Sequence, residues 1–340
     1  MKERDLDPIE VDRLLQSNWG IKAEQTNFVT MGDSTLNWII KVADKNDCVL
    51  RNAGSFRHYV RFQCDVLSYL AESEFPYQAP KPLRTRHGEF VVDIKSGSYF
   101  VYPFISGNTP SEIDRIKSVD VGKMLASYHQ HIEGFEWEGR LQLRSKNLLE
   151  SDVFIDFIQR CKDMVGGKET KSKVDLVYLG RFEGLKSFYE KVMASVDVDY
   201  YGLLPKIPCH GDFERRNIII QSDKVVGFVD LGGITIDPRI CDLQSCIQLN
   251  CVENGRLNMD TVNGVIEGYT SIARPREREM ELILPLMYAE MLRTLSWVLN
   301  ERAKPDTRVE LVEATNRLDT LSWIMENHSD IQKSLGVLTN

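Results

Sequence analysis

Residues 209–220 read CHGDFERRNIII and decide the fold of this chain. The isoleucines at the end favour a β-strand, and an acid, Asp212, and an amide, Asn217, stand before it. Downstream, the apolar runs NIIIQ and VVGFVD flank the short polar segment SDK, a pattern that predicts a tight hairpin. Because a hairpin folds back on itself, we expect Asp212, Asn217 and Asp230 to converge at one end of it.

These side chains suggest a metal-assisted reaction. Carboxylate and amide oxygens suit Mg²⁺, which keeps further positions for water and phosphate. Asn217 and Asp230 would hold the metal on nucleotide phosphates, and Asp212 would accept a proton from an attacking hydroxyl. Phosphoryl transfer needs mainly such positioning and charge neutralisation. An isolated Asp-x-x-x-x-Asn is usually a cap or a turn, so the prediction rests on the joint pattern with the hairpin.

The segments upstream of this stretch are rich in strands. DPIEVDRLLQSNWG predicts a helix that is capped by Asp7 and ends before Gly20. Apolar runs at 37–42 and 48–51 predict strands, and the pattern at 57–72 predicts a helix. GEFVVDI and SYFVYPFI predict a second hairpin.

Helical patterns dominate the rest of the chain. They lie at 119–132, 150–164, 173–196, 258–273, 278–302 and 307–326. The hairpin after Asn217 is the single strand-like interruption that we expect among them. The change in character near FISGNTP predicts a β-rich domain over 1–105 and a helical domain over 106–340, an α+β organisation.

Charge and composition exclude some partners. The net charge is -8, which argues against nucleic acid or an anionic membrane surface, because both require a basic face. The seven cysteines are odd in number and scattered, and no pair has the spacing of a zinc site. We therefore expect a reduced, cytoplasmic protein. No uninterrupted apolar run approaches the roughly 18 residues of a membrane span.

The motifs HGDFERRN and GFVDLGG resemble the aminoglycoside phosphotransferase and choline kinase superfamily, whose fold is protein-kinase-like. TMGDSTLNWIIKV is similar to that family's nucleotide loop and second strand, CVLR to its third strand, and YPFISG to its hinge. The resemblance implies a bilobal fold: a small antiparallel β-lobe with one helix, and a larger, mostly helical lobe. It also implies ATP and Mg²⁺ as cofactors.

The resemblance assigns roles to individual residues. Asp212 would be the catalytic base, and Asn217 and Asp230 the magnesium ligands. The nucleotide-binding residues would be Gly32, Ser34, Arg51 and Phe104. His210 would brace the catalytic loop, His129 would be structural, and Asp242 would be a helix cap or a loop brace.

The sequence departs from the family pattern at the phosphate-binding cation. Arg51 stands where many relatives have a lysine, and the helix at 57–72 offers Gln63 and Asp65 where a glutamate is usual. Arg51 could instead pair with Asp65 at the surface. Lys41, on the preceding strand, is the competing phosphate-binding cation.

The expected function is ATP- and Mg²⁺-dependent transfer of the γ-phosphoryl group to a hydroxyl of a small molecule. A protein kinase is disfavoured because only LGGITIDPRIC separates Asp230 from Asp242. The sequence does not decide whether the acceptor is an aminoglycoside, an amino alcohol, homoserine, a sugar or a nucleoside-like compound. It also leaves open whether GTP can replace ATP and what the oligomeric state is. We expect the acceptor in the large lobe, with Glu267, Tyr288 and Glu290 as candidates. The alternative is a catalytically weak pseudokinase or scaffold.

Overall fold

The structure is a computed structural model that describes residues 6–29, 36–43, 46–54, 57–137, 146–276, 278–301 and 308–337. The described residues form two compact units. The first unit contains residues up to Pro110, then 130–136 and 216–234. The second contains 111–129, 137–215 and the residues from Thr235 onward. The predicted boundary at 105/106 stays a prediction.

The secondary structure is mixed. The strands are β1 Ala23–Val29, β2 Leu36–Val42, β3 Cys48–Asn52, β4 Val92–Ile94, β5 Gly97–Pro103, β6 Lys206–Cys209, β7 Ile218–Gln221, β8 Lys224–Phe228, β9 Thr235–Pro238, β10 Val252–Glu253 and β11 Arg256–Leu257. The helices are α1 Pro8–Trp19, α2 Arg57–Glu72, α3 Arg115–Ile132, α4 Lys146–Leu149, α5 Ser151–Gly166, α6 Lys173–Met193, α7 Val198–Leu203, α8 Arg239–Asn250, α9 Met259–Ile272, α10 Ile283–Glu301 and α11 Arg308–Val337. The α+β prediction is confirmed.

Local signals define the first helix. Asp7 accepts from the amide of Glu10 at 2.8 Å, and the Glu10 side chain accepts from the amide of Asp7 at 2.9 Å. This capping box satisfies amides that the first turn leaves without helical partners. Gly20 ends the helix in the left-handed region at φ 68°, where a side chain is disfavoured. The prediction of helix α1 is confirmed.

The first unit is built on a five-stranded antiparallel sheet in the order β1-β2-β3-β5-β4. Two hydrophobic clusters cover its faces. One joins Leu50 to Leu15 of α1, and the other joins Val49 to Cys64 of α2. Because successive strand residues face opposite sides, Val49 and Leu50 divide between the two helices. The predicted strands β2 and β3, helix α2 and hairpin β4–β5 are confirmed, while β1 was not predicted.

The hairpin β7–β8 belongs to this first unit. Ser222 and Asp223 form its turn with φ 47° and 63°, the left-handed conformation that matches the twist of paired strands. Backbone bonds attach it to two earlier segments of the chain. The amide and carbonyl of Asn108 bond Ile220, and Gln78 bonds Val226 and Phe228 at 2.8 and 3.0 Å.

The second unit is mainly helical. Helices α3 and α9 pack closely at their glycines. A Cβ added at Gly122 would lie only 2.1 Å from the carbonyl oxygen of Val265. A Cβ at Gly268 would lie 1.9 Å from the carbonyl oxygen of Val119. Met280–Leu299 is long and apolar enough to cross a membrane by length and composition, but 72% of this segment is buried, as in the core helix of a globular unit.

Two features of the second unit differ from the expectations. The β7–β8 hairpin is not the single strand-like interruption among the helices. Strand β6 precedes it in sequence, strand β9 follows it, and these two strands pair with each other in an antiparallel ladder. Helix α8 follows, and Asp242 lies inside its first turn rather than at its cap. Helix α11 extends to Val337, beyond the predicted end at 326, α3 begins four residues before its predicted start, and α10 begins at Ile283 rather than at 278.

Candidate active site

Strand β6 leads into the loop that carries Asp212. The loop turns at Gly211, whose φ of 74° favours glycine. The carboxylate of Asp242 accepts from the amides of His210 and Gly211 at 2.7 and 2.9 Å. Asp242 is therefore the loop brace that the sequence offered as one of two alternatives.

The brace is itself held by buried partners. His129 places Nε2 3.0 Å from Asp242 Oδ2 and Nδ1 2.8 Å from the hydroxyl of Tyr269. Burial alone would raise the pKa of the Asp242 carboxyl, but hydrogen bonds and the nearby His129 and His210 rings lower it below its ordinary value. The carboxylate thus stays charged, and the structural role expected for His129 is observed.

Asp212 is half-buried in this loop. Its amide donates to Nδ1 of His210 at 3.3 Å, and its carbonyl accepts from the amide of Glu214 at 2.9 Å. The His210 ring is fully buried and packs edge-on against Phe213 at 5.1 Å. A buried ring that accepts a backbone amide fixes the loop, as expected for His210.

The first unit brings Asn217 and Asp230 to the same end of the β7–β8 hairpin. Ile218 pairs with Phe228, and the amide of Val229 donates to the carbonyl of Asn217 at 2.8 Å. Asp230 is the next residue after Val229, so Asn217 and Asp230 are close in the backbone at this end of the hairpin. The Asn217 side chain is buried, and that of Asp230 is 27% exposed.

The backbone of Asp230 is in an unusual conformation. Its φ is 65°, a region that residues other than glycine rarely adopt. Its Oδ1 accepts from the amide of Gly232 at 2.8 Å and from Nη2 of Arg51 at 2.5 Å. A Cβ added at Gly232 would lie 2.7 Å from that oxygen and 3.1 Å from Nη2 of Arg51. The glycine therefore leaves room for the carboxylate–guanidinium pair.

Arg51 is buried, with a side-chain exposure of 4%. Burial alone would lower the pKa of its guanidinium, but Asp230 and Tyr102 raise it. The alternative in which Arg51 pairs with Asp65 at the surface is wrong. The cations near the carboxyl of Asp65 are Arg84 and Arg61, not Arg51. Burial raises the pKa of this carboxyl above its ordinary value, and the two arginines oppose that rise.

Lys41, the competing cation, lies elsewhere on the sheet. Its ammonium group pairs with Asp47, and its side chain is 51% exposed. Arg51 is the strand cation that contacts Asp230.

Helix α2 contributes a residue that the sequence reasoning missed. The hydroxyl of Tyr59 lies 2.8 Å from the carbonyl oxygen of Gly232 and 2.9 Å from that of Ile234. It holds the turn that follows Asp230. The family pattern favours an acid on this helix, whereas a tyrosine that bonds main-chain carbonyls leaves no charge pattern in the sequence.

The other predicted nucleotide-binding residues are Gly32, Ser34 and Phe104. Gly32 and Ser34 lie outside the described residues. Phe104 has a 37% exposed side chain, and its amide donates to the carbonyl of Asp47 at 2.8 Å. That amide is engaged within the sheet, so a contact with adenine would use the ring or the carbonyl of Phe104.

The donor set suits a hard divalent cation that is shared with phosphate. Asp230 supplies a partly exposed carboxylate, and Asn217 at the same end of the hairpin could supply an amide oxygen. Over the described ranges, no group of three His, Cys, Asp or Glu could hold a metal. A site with two protein oxygens leaves the remaining positions for phosphate and water, which is how Mg²⁺ is usually held.

A small cavity of about 50 Å³ opens beside the Asp212 loop in the second unit. The residues that line it include Gly211, Thr235, Asp237, Gln244, Ser245 and Glu290. Of the three acceptor candidates, Glu290 lines this cavity. Tyr288 is buried and bonds the carbonyl of Leu185 at 3.1 Å, and Glu267 pairs with Arg115 at 2.5 Å.

The chain has a protein-kinase-like fold. It superposes on an amicoumacin kinase in complex with AMP-PNP and Ca²⁺ with a TM-score of 0.67 and 12% identity, over 93% of this chain and 94% of that one. It also superposes on a microcompartment-associated aminopropanol kinase with a TM-score of 0.63 and 12% identity, over 96% of this chain and 98% of that one.

The sequence places it within that class: residues 26–279 match the phosphotransferase enzyme family, and the chain belongs to it. It is 25% identical over 209 residues to a homoserine kinase of Agrobacterium fabrum, covering 61% of this chain and 59% of that protein. The chain thus spans about six tenths of the length of that relative. The resemblance in the catalytic motifs is confirmed at the level of the family.

Proposed function

We propose that this protein is an ATP- and Mg²⁺-dependent kinase that phosphorylates a hydroxyl group of a small molecule. The proposal rests on the arrangement in the first unit, where Asn217 and Asp230 lie at the same end of the β7–β8 hairpin and the buried Arg51 pairs with Asp230. In a member of the phosphotransferase enzyme family, this arrangement supports nucleotide phosphate binding.

Each polar residue then has a task. Asn217 and Asp230 would hold Mg²⁺, which neutralises phosphate charge when bound. Arg51 would orient Asp230 and add a fixed positive charge, which a guanidinium keeps at any physiological pH. Asp212 would accept the proton of the acceptor hydroxyl, while the Asp242 brace keeps its loop in one conformation.

We propose that the acceptor binds beside Gly211 in the second unit, at the opening of the small cavity rather than inside its volume of about 50 Å³. Glu290 in this lining is already paired with Arg293 at 2.6 Å, so the charge of the acceptor is inferred from the relatives, whose names give acceptors that carry an ammonium group as well as a hydroxyl. Homoserine and aminopropanol, which name the enzymes similar to this chain, both have this chemistry. We therefore propose a small amino alcohol or hydroxy amino acid. A reduced, cytoplasmic setting fits its seven free cysteines.

The test is ADP formation from ATP and Mg²⁺ with a panel of acceptors. The panel contains homoserine, aminopropanol, an aminoglycoside and a sugar, and each is matched by its deoxy analogue. We expect turnover with an amino alcohol or hydroxy amino acid and none with the analogue that lacks the hydroxyl.

Asp212→Asn is the matched variant, because it keeps the shape and removes the proton acceptor. It should lower turnover by roughly 10²–10⁴-fold, the usual contribution of a general base. ADP formation that is independent of any acceptor, or unchanged in Asp212→Asn, would contradict the proposed mechanism. If no acceptor in a wide panel gave ADP, the scaffold alternative would stand.

A further inference from the structure

A second cavity lies within the second unit and has a different character. Its volume is about 980 Å³, and it shares no lining residue with the cavity beside Gly211. Four cations line it, namely Arg274, Arg276, Arg278 and Lys333, against two described carboxylates, Asp197 and Glu281. Because the whole chain carries a net charge of -8, a surplus of cations around one cavity stands out from the rest of the molecule.

A partly buried ion pair holds the backbone of residues 274–276, which line this cavity. The carboxylate of Glu279 is 1% exposed and accepts from Nε and Nη2 of Arg239 at 3.3 and 2.7 Å. It also accepts the amide of Arg276, and Nη2 of Arg239 donates to the carbonyl of Arg274 at 2.8 Å. The Arg239–Glu279 pair therefore contacts only backbone atoms of Arg274 and Arg276, and the side chains of these two arginines are exposed at the cavity.

The third arginine of the wall is already neutralised. Arg278 pairs with Asp197 at 3.2 Å and with Glu281 at 3.3 Å, and its guanidinium lies 5.4 Å from the centre of the Tyr200 ring. Its backbone has φ 64°, a conformation that residues other than glycine rarely adopt and that clusters at functional sites.

The other cations differ from Arg278 as far as the described residues are concerned. Within the described part of the chain, no carboxylate lies at ion-pair distance from Arg274, Arg276 or Lys333. The lining also contains apolar side chains, of which Val196 and Pro275 are partly exposed and Leu282 and Leu335 are buried. Cations next to apolar side chains suit an anion that carries an apolar body.

We propose that this cavity binds a small organic phosphate, a dianionic head on an apolar body, at a site separate from the phosphoryl-transfer residues. The guanidinium groups of Arg274 and Arg276 offer forked donors that match phosphate oxygens, and Lys333 adds a point charge. The body of the ligand would rest on Val196 and Pro275, which are partly exposed in the lining. A cavity of this volume falls within the range that accommodates ligands of drug size.

The test uses phenyl phosphate at pH 8, where a phosphate monoester is dianionic because its second pKa is about 6. Binding is measured by calorimetry and by the rise in Tm, since a ligand of the folded state stabilises it. Arg274→Gln/Arg276→Gln should raise Kd at least tenfold, because each charge-assisted hydrogen bond contributes about 1.5–3 kcal/mol. Arg160→Gln, an exposed arginine of α5, is the matched control and should bind as the wild type does.

Three further measurements distinguish binding in this cavity from binding at the phosphoryl-transfer residues or through one part of the ligand alone. Arg51→Met should keep the response to phenyl phosphate. Benzyl alcohol and inorganic phosphate, the body and the head alone, should each bind more weakly than phenyl phosphate. Lys333→Gln provides a second variant on another element if the double variant does not fold, and it should raise Kd by several fold.

Three results would overturn the proposal. One is wild-type affinity in both the double variant and Lys333→Gln. Another is a response that disappears in Arg51→Met, which would place the anion at the phosphoryl-transfer residues. The last is the absence of a response to millimolar phenyl phosphate in the wild type.

Discussion

Removing the charge of Arg51 should damage both the stability of the first unit and its use of ATP. Arg51→Met keeps a long side chain in the buried space and removes the partner of Asp230. Loss of one partner of a fully buried pair costs about 3–5 kcal/mol. Because the Asp230 side chain is 27% exposed and can regain water, we expect a smaller loss of about 2 kcal/mol. That corresponds to a fall in Tm of about 4–8 °C.

The kinetic effect should follow the same contact. A charge-assisted hydrogen bond contributes about 1.5–3 kcal/mol, which corresponds to about 10–150-fold in kcat/KM for ATP. Lys41→Met is the matched control on the neighbouring strand. Its exposed pair with Asp47 should contribute at most about 1 kcal/mol, and its kinetics should resemble those of the wild type.

The assays are thermal unfolding without ligand and coupled ADP detection at varied ATP. Arg51→Lys adds information, since recovery would show that charge is sufficient and failure would show that the forked geometry is required. The reasoning is refuted if Arg51→Met has wild-type kinetics while Lys41→Met loses activity. In that case the lysine, and not the arginine, binds the phosphates.

Three further predictions concern the same elements. Gly232→Ala should lower kcat at least tenfold in the ADP assay, because its Cβ would lie 2.7 Å from Oδ1 of Asp230, and wild-type kcat would show that the turn can shift. Tyr59→Phe should raise the KM for Mg²⁺ in a titration at fixed ATP, because the Tyr59 hydroxyl holds the turn after Asp230. An unchanged KM would show that Tyr59 contributes only to packing. The pKa of Asp242 is lowered in the folded state, so its stabilising contribution is complete above its ordinary pKa of 3.8 and falls as pH decreases below it. Tm measured from pH 6 to pH 3 should therefore fall less steeply for Asp242→Asn than for the wild type, and parallel curves would contradict the assignment.

Predictions that rest on local signals agree with the structure. Helix α1 follows from Asp7, Pro8 and Gly20, because capping and termination are decided within a few residues. The β7–β8 hairpin follows from two apolar runs around a short turn. The hairpin brings Asn217 and Asp230 to the same end, so their proximity in the backbone could be predicted from sequence alone.

Features that depend on distant partners could not be predicted in this way. Strands β6 and β9 have four residues each, and Pro208 and Pro238 weaken their strand signal, so only their pairing identifies them. Arg51 and Asp230 are 179 positions apart, and the sequence suggested only the nearer Asp65 as an ion-pair partner of Arg51. Tyr59 bonds main-chain carbonyls, for which the sequence carries no complementary residue.

The attachment of the β7–β8 hairpin to the first unit has a consequence for the order in which the protein is made. Gln78 and Asn108 bond strands that are translated only after more than a hundred further residues, and the carboxylate that neutralises Arg51 is made later still. At roughly 5–20 residues per second, the ribosome needs about 6–25 s to proceed from residue 110 to residue 234. During that interval the nascent sheet exposes an unpaired arginine and unpaired backbone groups. A chaperone that binds nascent chains would therefore find its substrate in the sheet-forming N-terminal segment while the helical residues are still being synthesised.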